Sequence, residues 1–179
     1  MGIEAEDYDN MLIMRRSKIL VYLILVTFCS LSYAQKSLNE LEVSEPANAL
    51  LMQHPKLKST IFEYLDYFSC NDEKNQDFIG LYSLKSREYL NRFFPNIQSA
   101  DEYKERMIAR SEIYYVVYRS IESVELTSET EANVKVIFDS GNEGQIDRMS
   151  EIMYFKLEDG DWKFNASGSL EFIEVIEPF

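Results

Sequence analysis

Apolar residues recur at intervals of three and four positions through the first half of the chain, which predicts helices. The clearest helix spans 57–68, where one face carries Leu57, Ile61, Tyr64, Leu65 and Phe68. Shorter helices are predicted for 44–54 and from 99 to about 110, and 78–94 is expected to form one or two more. A serine stands at the start of the first and the last of these shorter segments, as expected for a residue that caps a helix.

After residue 112 the pattern changes to the two-residue alternation of β-strands. Four strands are predicted, over 113–126, 132–139, 149–157 and 162–172. The apolar phase moves from odd to even positions within the first strand, so a β-bulge is expected near Glu122 or Ser123. Asp159-Gly160 stands between the last two strands and is a strong hairpin signal. The pattern therefore predicts an α+β fold, with N-terminal helices packed on a four-stranded antiparallel sheet in one domain, 46–179.

The N-terminal segment has the order of a secretory signal peptide. A basic stretch at 11–18 is followed by an apolar run at 19–28. Ser32-Tyr33-Ala34 then places small residues where signal peptidase needs them, which predicts cleavage after the alanine. Residues 1–34 are therefore interpreted as a signal peptide of bacterial type, and the mature protein is expected to be exported, either periplasmic or secreted.

The first ten residues carry four acidic side chains, which is the wrong charge for the leading end of a signal. We therefore expect translation to start at Met11 or Met14. An uncleaved membrane anchor is the alternative, but the stretch from Ile19 to Leu31, about 13 residues, is shorter than the roughly 20 that a spanning helix needs. No stable membrane anchor is expected after cleavage, and the polar segment 35–45 is predicted to be a flexible leader.

The net charge argues against one class of binding partner, and the cysteine count argues against an internal disulfide. The chain has 179 residues and a formal net charge of −13. Loss of residues 1–34 takes three of the 18 basic and four of the 31 acidic residues, which leaves −12 on 145 residues. This sign argues against a nucleic-acid partner, since such binding is driven by lysine and arginine. Cys70 is then the one remaining cysteine, so no internal disulfide is expected.

No catalytic or metal site is predicted. His54 is the single histidine, and no nucleophile lies near it in the sequence to form a catalytic pair. A metal site rich in histidine or cysteine is excluded by the counts of these residues. The acidic segments 71–77 and 139–143 lack the glycine and glutamate positions of an EF-hand loop. We therefore expect no metal and no other cofactor.

Two charged residues interrupt apolar runs. Arg119 has the phase of Val117 and Ile121, and Glu151 has the phase of the methionines on either side of it. If both side chains point inward they must pair, because an unpaired buried charge is costly. Such a pair would mark a pocket, together with Tyr115. A structural ion pair and an outward-facing pair are the alternatives.

The element order resembles the NTF2-like superfamily, also called the cystatin-like cone fold. The likeness is carried by helices that lead into a long bulged strand, and by the last hairpin, Leu157-Glu-Asp-Gly-Asp-Trp-Lys-Phe164. It implies a curved sheet wrapped around helices, leaving a conical cavity that members use for catalysis, ligands or protein partners. Ketosteroid isomerase, one member, uses an aspartate base with an oxyanion hole of tyrosine and protonated aspartic acid. Those three positions cannot be aligned here, and a homodimer through the sheet is common in this fold.

The sequence and this resemblance together predict an exported, non-catalytic module that binds a small apolar ligand or a protein. The candidate pocket residues are Tyr115, Tyr118, Arg119, Glu151, Tyr154 and Trp162. One alternative is a small cofactor-free enzyme that transfers protons with a tyrosine and a buried carboxylate. Another is an acidic inhibitor or immunity-type protein, whose acids would cluster on one exposed face and bind a basic partner.

Overall fold

The helices of the N-terminal half begin at capping residues. The structure of the protein, a computed structural model, describes residues 41–71, 75–109, 115–142 and 145–176. Its helices are α1 (Glu45–Gln53), α2 (Pro55–Phe68), α3 (Phe78–Leu84), α4 (Arg87–Phe93) and α5 (Ala100–Ile108). Side-chain oxygens at four N-caps accept hydrogen bonds from backbone amides of the first turn: Ser44, Asp77, Ser86 and Ser99. None of these helices is long and apolar enough to cross a membrane.

The segment 78–94 forms two helices, because the backbone is extended at Lys85 and Ser86 between them. The Ser86 amide donates to the carbonyl of Phe164 at 2.9 Å, so this connection is bonded to the sheet. Lys85 itself forms an isolated parallel bridge with Phe164. The short link between α3 and α4 is therefore held against a strand that lies about 80 residues further along the chain.

The long strands form an antiparallel meander at the end of the chain. They are β2 (Tyr115–Ser128), β3 (Glu131–Asn142), β4 (Gln145–Glu158) and β5 (Asp161–Ser167). A short β1 (Glu42–Val43) pairs in parallel with β2, and β6 (Glu171–Ile176) pairs with β4. The fold is therefore α+β, as predicted, with an open mixed sheet of six strands in the order β1-β2-β3-β4-β5 and β6 beside β4.

The sheet corrects two predicted boundaries. The predicted fourth strand, 162–172, divides at Ser167: β5 pairs with the second half of β4, and β6 pairs with its first half. The predicted leader, 35–45, ends in β1, whose Val43 lies opposite Ile121, so the compact unit begins at Leu41 rather than at 46. The predicted signal peptide, residues 35–40 and the first two residues of the predicted first strand lie outside the described residues.

Register shifts in β2 decide which side chains reach the core. The predicted bulge is confirmed, since the pairing with β3 shifts between Ile121 and Ser123. A second shift, which the sequence pattern did not indicate, lies between Tyr118 and Ser120. At each shift one extra residue enters β2, so two successive side chains point to the same side. Arg119 is the extra residue at the second shift.

The face of the sheet that packs on the helices, called the inner face below, carries the core. Its buried side chains are Tyr118, Ile121, Val134, Val136, Phe138, Met153, Phe155, Trp162 and Phe164. Tyr64 of α2 stacks on the ring of Phe164, with 4.3 Å between the ring centroids. The predicted Asp159-Gly160 turn joins β4 to β5 with φ of 55° at the aspartate, a residue type that tolerates this region, and 87° at the glycine, which adopts it freely.

Candidate functional site

A lysine side chain lies inside the apolar core. Lys85 follows α3 directly, and its bridge to β5 turns the side chain toward the inner face, where the residue is 6% exposed. Its Nζ donates a hydrogen bond to Tyr64 Oη at 2.9 Å. Lysine is almost never this deeply buried without a specific partner. The position therefore marks a candidate site rather than ordinary core packing.

Three aromatic rings surround the Lys85 nitrogen. Nζ lies 3.9 Å from the ring centroid of Phe164, 4.5 Å from that of Tyr89 and 4.6 Å from that of Tyr64. Ring faces attract an ammonium group, and this attraction is strongest where water is excluded. Burial nevertheless holds the pKa of Lys85 well below its ordinary value, and the charge of Glu151 acts in the opposite direction.

Glu151 is the acidic member of the site. It lies opposite Val136 in the register of β3 and β4, which places it on the inner face beside the core. Burial raises the pKa of its carboxyl group, whereas a hydrogen bond with Ser167 and the charge of Lys85 lower it. The inner polar site, as the term is used below, consists of Lys85, Tyr64 and Glu151, together with Tyr89 and Tyr118.

Three tyrosines border the inner polar site. Burial raises the pKa values of Tyr64, Tyr89 and Tyr118, and the negative charge of Glu151 adds to the effect in all three. The charge of Glu151 therefore acts on tyrosines from α2, from α4 and from β2. The site is built by two helices and two strands that are far apart in the sequence.

The inner face meets solvent at one end of this site. Met149 lies two residues before Glu151 on the same face and is half-buried. Phe172 of β6 lies opposite Met149 and is 59% exposed. Glu151 is itself only partly buried, in contrast to Lys85. The site therefore has a closed end at the lysine and an accessible end at the glutamate.

The structure brings together some of the predicted pocket residues and separates others. Tyr118 is 5% exposed and lies on the inner face, which also carries Glu151. Trp162 is also buried on this face, but it lies opposite Leu157 near the far end of the hairpin. Tyr154 lies on the other face and is 36% exposed, so it does not belong to the site.

Arg119 does not meet the condition for pairing with Glu151, because its side chain points to the outer face and forms an ion pair there. Arg119 Nε lies 2.6 Å from a carboxylate oxygen of Asp139, which points to the outer face of the sheet. Arg148 Nε binds the other oxygen at 2.8 Å, and Arg119 also lies 3.4 Å from Tyr115 Oη. The reason is the bulge at Arg119, which changes the phase before Ile121, so Val117 and Ile121 do not share a face.

Sequence reasoning missed Lys85, Tyr64 and Tyr89 as parts of the site. Tyr64 was placed correctly on the apolar stripe of α2, and a buried tyrosine hydroxyl needs a hydrogen-bond partner, so a polar partner could have been sought. Lys85 carries no such signal, because a lysine directly after a helix is ordinary at a surface. Only the bridge to Phe164 turns it inward.

Comparison with known proteins adds no relative. No protein-family model matches the chain, and no curated protein matches it significantly. Within the described residues, no three histidine, cysteine, aspartate or glutamate side chains come together in a way that could hold a metal ion. The inner polar site must therefore be judged on its own geometry.

The raised pKa of Glu151 makes stability depend on pH. A carboxyl group whose pKa is raised on folding stabilises the fold below its unfolded pKa, and this contribution is lost as the pH rises through the folded pKa. Glu151→Gln removes the ionisation, so we expect the variant to gain stability relative to wild type between pH 4 and pH 7. Urea denaturation at several pH values measures this. A difference that stays constant or reverses with increasing pH would contradict the placement of Glu151.

Proposed function

We propose that this protein is an exported, non-catalytic module of NTF2-like fold that binds a small ligand. In this proposal the meander β2–β5 forms the curved antiparallel sheet of the cone, and α2 and α4 line its interior. Export follows from the signal-like segment 1–34. The ligand enters from the end of the inner face at which Met149 and Phe172 meet solvent.

The observation that carries the proposal is the partly buried carboxylate of Glu151. A charged group on the core side of a sheet destabilises a fold unless it is paired or serves a function. The Lys85 Nζ donates its hydrogen bond to Tyr64 rather than to Glu151, and three aromatic rings lie around it. An apolar recess with few polar groups is the usual form of a small-molecule site.

The accessible apolar end of the site can be tested with a neutral fluorescent probe, N-phenyl-1-naphthylamine. We expect saturable binding with a stoichiometry of one, weakened about tenfold or more by Phe172→Lys, because a lysine there places a charge in the path of the ligand. Ile152→Lys is the matched control, since Ile152 lies on the adjacent strand, is 39% exposed and points to the outer face. Equal binding by the two variants, or no saturable binding by wild type, would overturn the proposal.

A proton-transfer enzyme is the second candidate, and one observation favours it. General acid–base chemistry uses a carboxylate with a raised pKa together with a tyrosine hydroxyl, and Glu151, whose pKa burial raises, shares the inner face with Tyr118. The test is exchange of the α-protons of cyclopentanone in D2O, followed by NMR. Exchange above the buffer rate that Glu151→Gln abolishes would favour the enzyme, and exchange at the buffer rate would exclude it for this ketone.

A further inference from the structure

The two charged groups of the inner polar site differ in access. Lys85 is 6% exposed, donates to Tyr64 and has ring faces around its nitrogen. Glu151 is partly exposed and lies at the end of the site that meets solvent. A ligand that enters the site therefore meets the acidic group first, and the basic group lies behind it.

The surroundings of Glu151 favour a positive group. The rings of Tyr89 and Tyr118 border the site from α4 and β2, and aromatic faces attract cations as well as apolar groups. An anion would lie against Glu151 and would have to displace Tyr64 from Lys85 to find a partner. The chain as a whole carries a formal charge of −13, which raises the local concentration of cations.

We infer that the ligand of this site is an organic cation with an apolar body, its ammonium group bound to Glu151 and its body laid along Met149 and Phe172. This inference deepens the proposed small-ligand function and rests on it. The cation would bind the Glu151 carboxylate, which is partly exposed on the inner face of the sheet. A charge-assisted hydrogen bond at a partly buried carboxylate is among the stronger polar contacts that a small site can offer.

Three probes of nearly equal shape distinguish binding that depends on the charge of the ligand from binding that depends on apolar contact: 3-phenylpropylammonium, 3-phenylpropan-1-ol and 3-phenylpropanoate. Calorimetric titration at pH 7 is expected to show the ammonium binding about tenfold or more tightly than the alcohol, with the carboxylate weakest. Glu151→Gln is expected to remove the preference for the ammonium, so that the ammonium and the alcohol bind the variant with similar affinity. Glu171→Gln is the matched control, since Glu171 is an exposed glutamate on β6 outside the site.

Ammonium binding is also expected to weaken as the pH falls and Glu151 becomes protonated. The charge of Glu151 acts together with Lys85, Tyr64, Tyr89 and Tyr118, and Asp147 lies on the same face beyond Met149. All of these groups are common to wild type and to Glu171→Gln. The two proteins should therefore share the same pH profile, whereas Glu151→Gln should lose it.

The outcomes distinguish this inference from the function on which it rests. If the alcohol binds as tightly as the ammonium and Phe172→Lys weakens both, the cation inference fails and the small-ligand function stands. Preference for 3-phenylpropanoate overturns the inference and assigns recognition to Lys85. If none of the three probes binds at concentrations up to about 10 mM, both proposals fail. Retention of the ammonium preference in Glu151→Gln likewise overturns the inference.

Discussion

Replacing Phe164 by alanine is expected to lower the free energy of unfolding by about 4 kcal/mol, the largest effect of any single substitution considered for this chain. Phe164 is 1% exposed. Its ring stacks on Tyr64 and contacts Phe155 and Tyr89 edge-on, with centroid separations of 5.9 and 5.4 Å. Truncation leaves a cavity that these rigid rings cannot fill, and it removes the ring nearest to Lys85.

Urea denaturation followed by tryptophan fluorescence measures this effect, because Trp162 is the single tryptophan and lies two residues away on β5. Phe172→Ala makes the same chemical change at a side chain that is 59% exposed, so its cost is expected to stay below about 1 kcal/mol. Equal losses for the two variants would show that Phe164 is not at the centre of the core.

Asp139→Asn is expected to destabilise the protein by about 3 kcal/mol. The Asp139 side chain is 2% exposed, and its two oxygens accept hydrogen bonds from Arg119 and Arg148 at 2.6 and 2.8 Å. The amide keeps the shape of the side chain but removes its charge and one acceptor. Both guanidinium groups then lose a charged partner, although each retains partial contact with water, which limits the loss.

Glu174→Gln is the control for this prediction, because Glu174 binds the same arginine, Arg148, at 3.0 Å. Its side chain is 55% exposed, so the pair is screened by water and its removal is expected to change stability by less than about 1 kcal/mol. The comparison isolates burial, since both variants convert an acid to its amide. A loss for Asp139→Asn no larger than that for Glu174→Gln would place Asp139 at the surface.

Phe164 and Asp139 stabilise opposite faces of one sheet by different means. On the inner face, aromatic rings pack around the charged nitrogen of Lys85, and Glu151 lies on the same face, partly exposed. On the outer face, Asp139 is covered by two arginines whose side chains are about one-third exposed. A ligand site is favoured on the inner face, because there a charged group lies beside accessible apolar surface. On the outer face the charges already satisfy one another.

Local sequence patterns predicted helices, caps and turns correctly where a feature depends only on residues a few positions away. The stripe of α2, the Ser44 and Ser99 caps and the Asp159-Gly160 turn are all confirmed, since each depends on neighbours within a few positions. The division of the last predicted strand at Ser167 was not predicted. Both of its halves alternate in polarity, and only their pairing with different parts of β4 separates them.

The amino-acid sequence determined the α+β class, the order of helices before strands and the candidate role of Glu151, because periodicity and turn chemistry are local properties of the chain. Tertiary structure decided the partners. The bulge at Arg119 placed that arginine beside Asp139 on the outer face, and the bridge between Lys85 and Phe164 brought a lysine to the inner face, where its Nζ donates to Tyr64. A bulge reverses the face of a side chain without changing its neighbours in sequence. No pattern along the chain could therefore have assigned Arg119 to Asp139, and the bridge that places Lys85 joins residues about 80 positions apart.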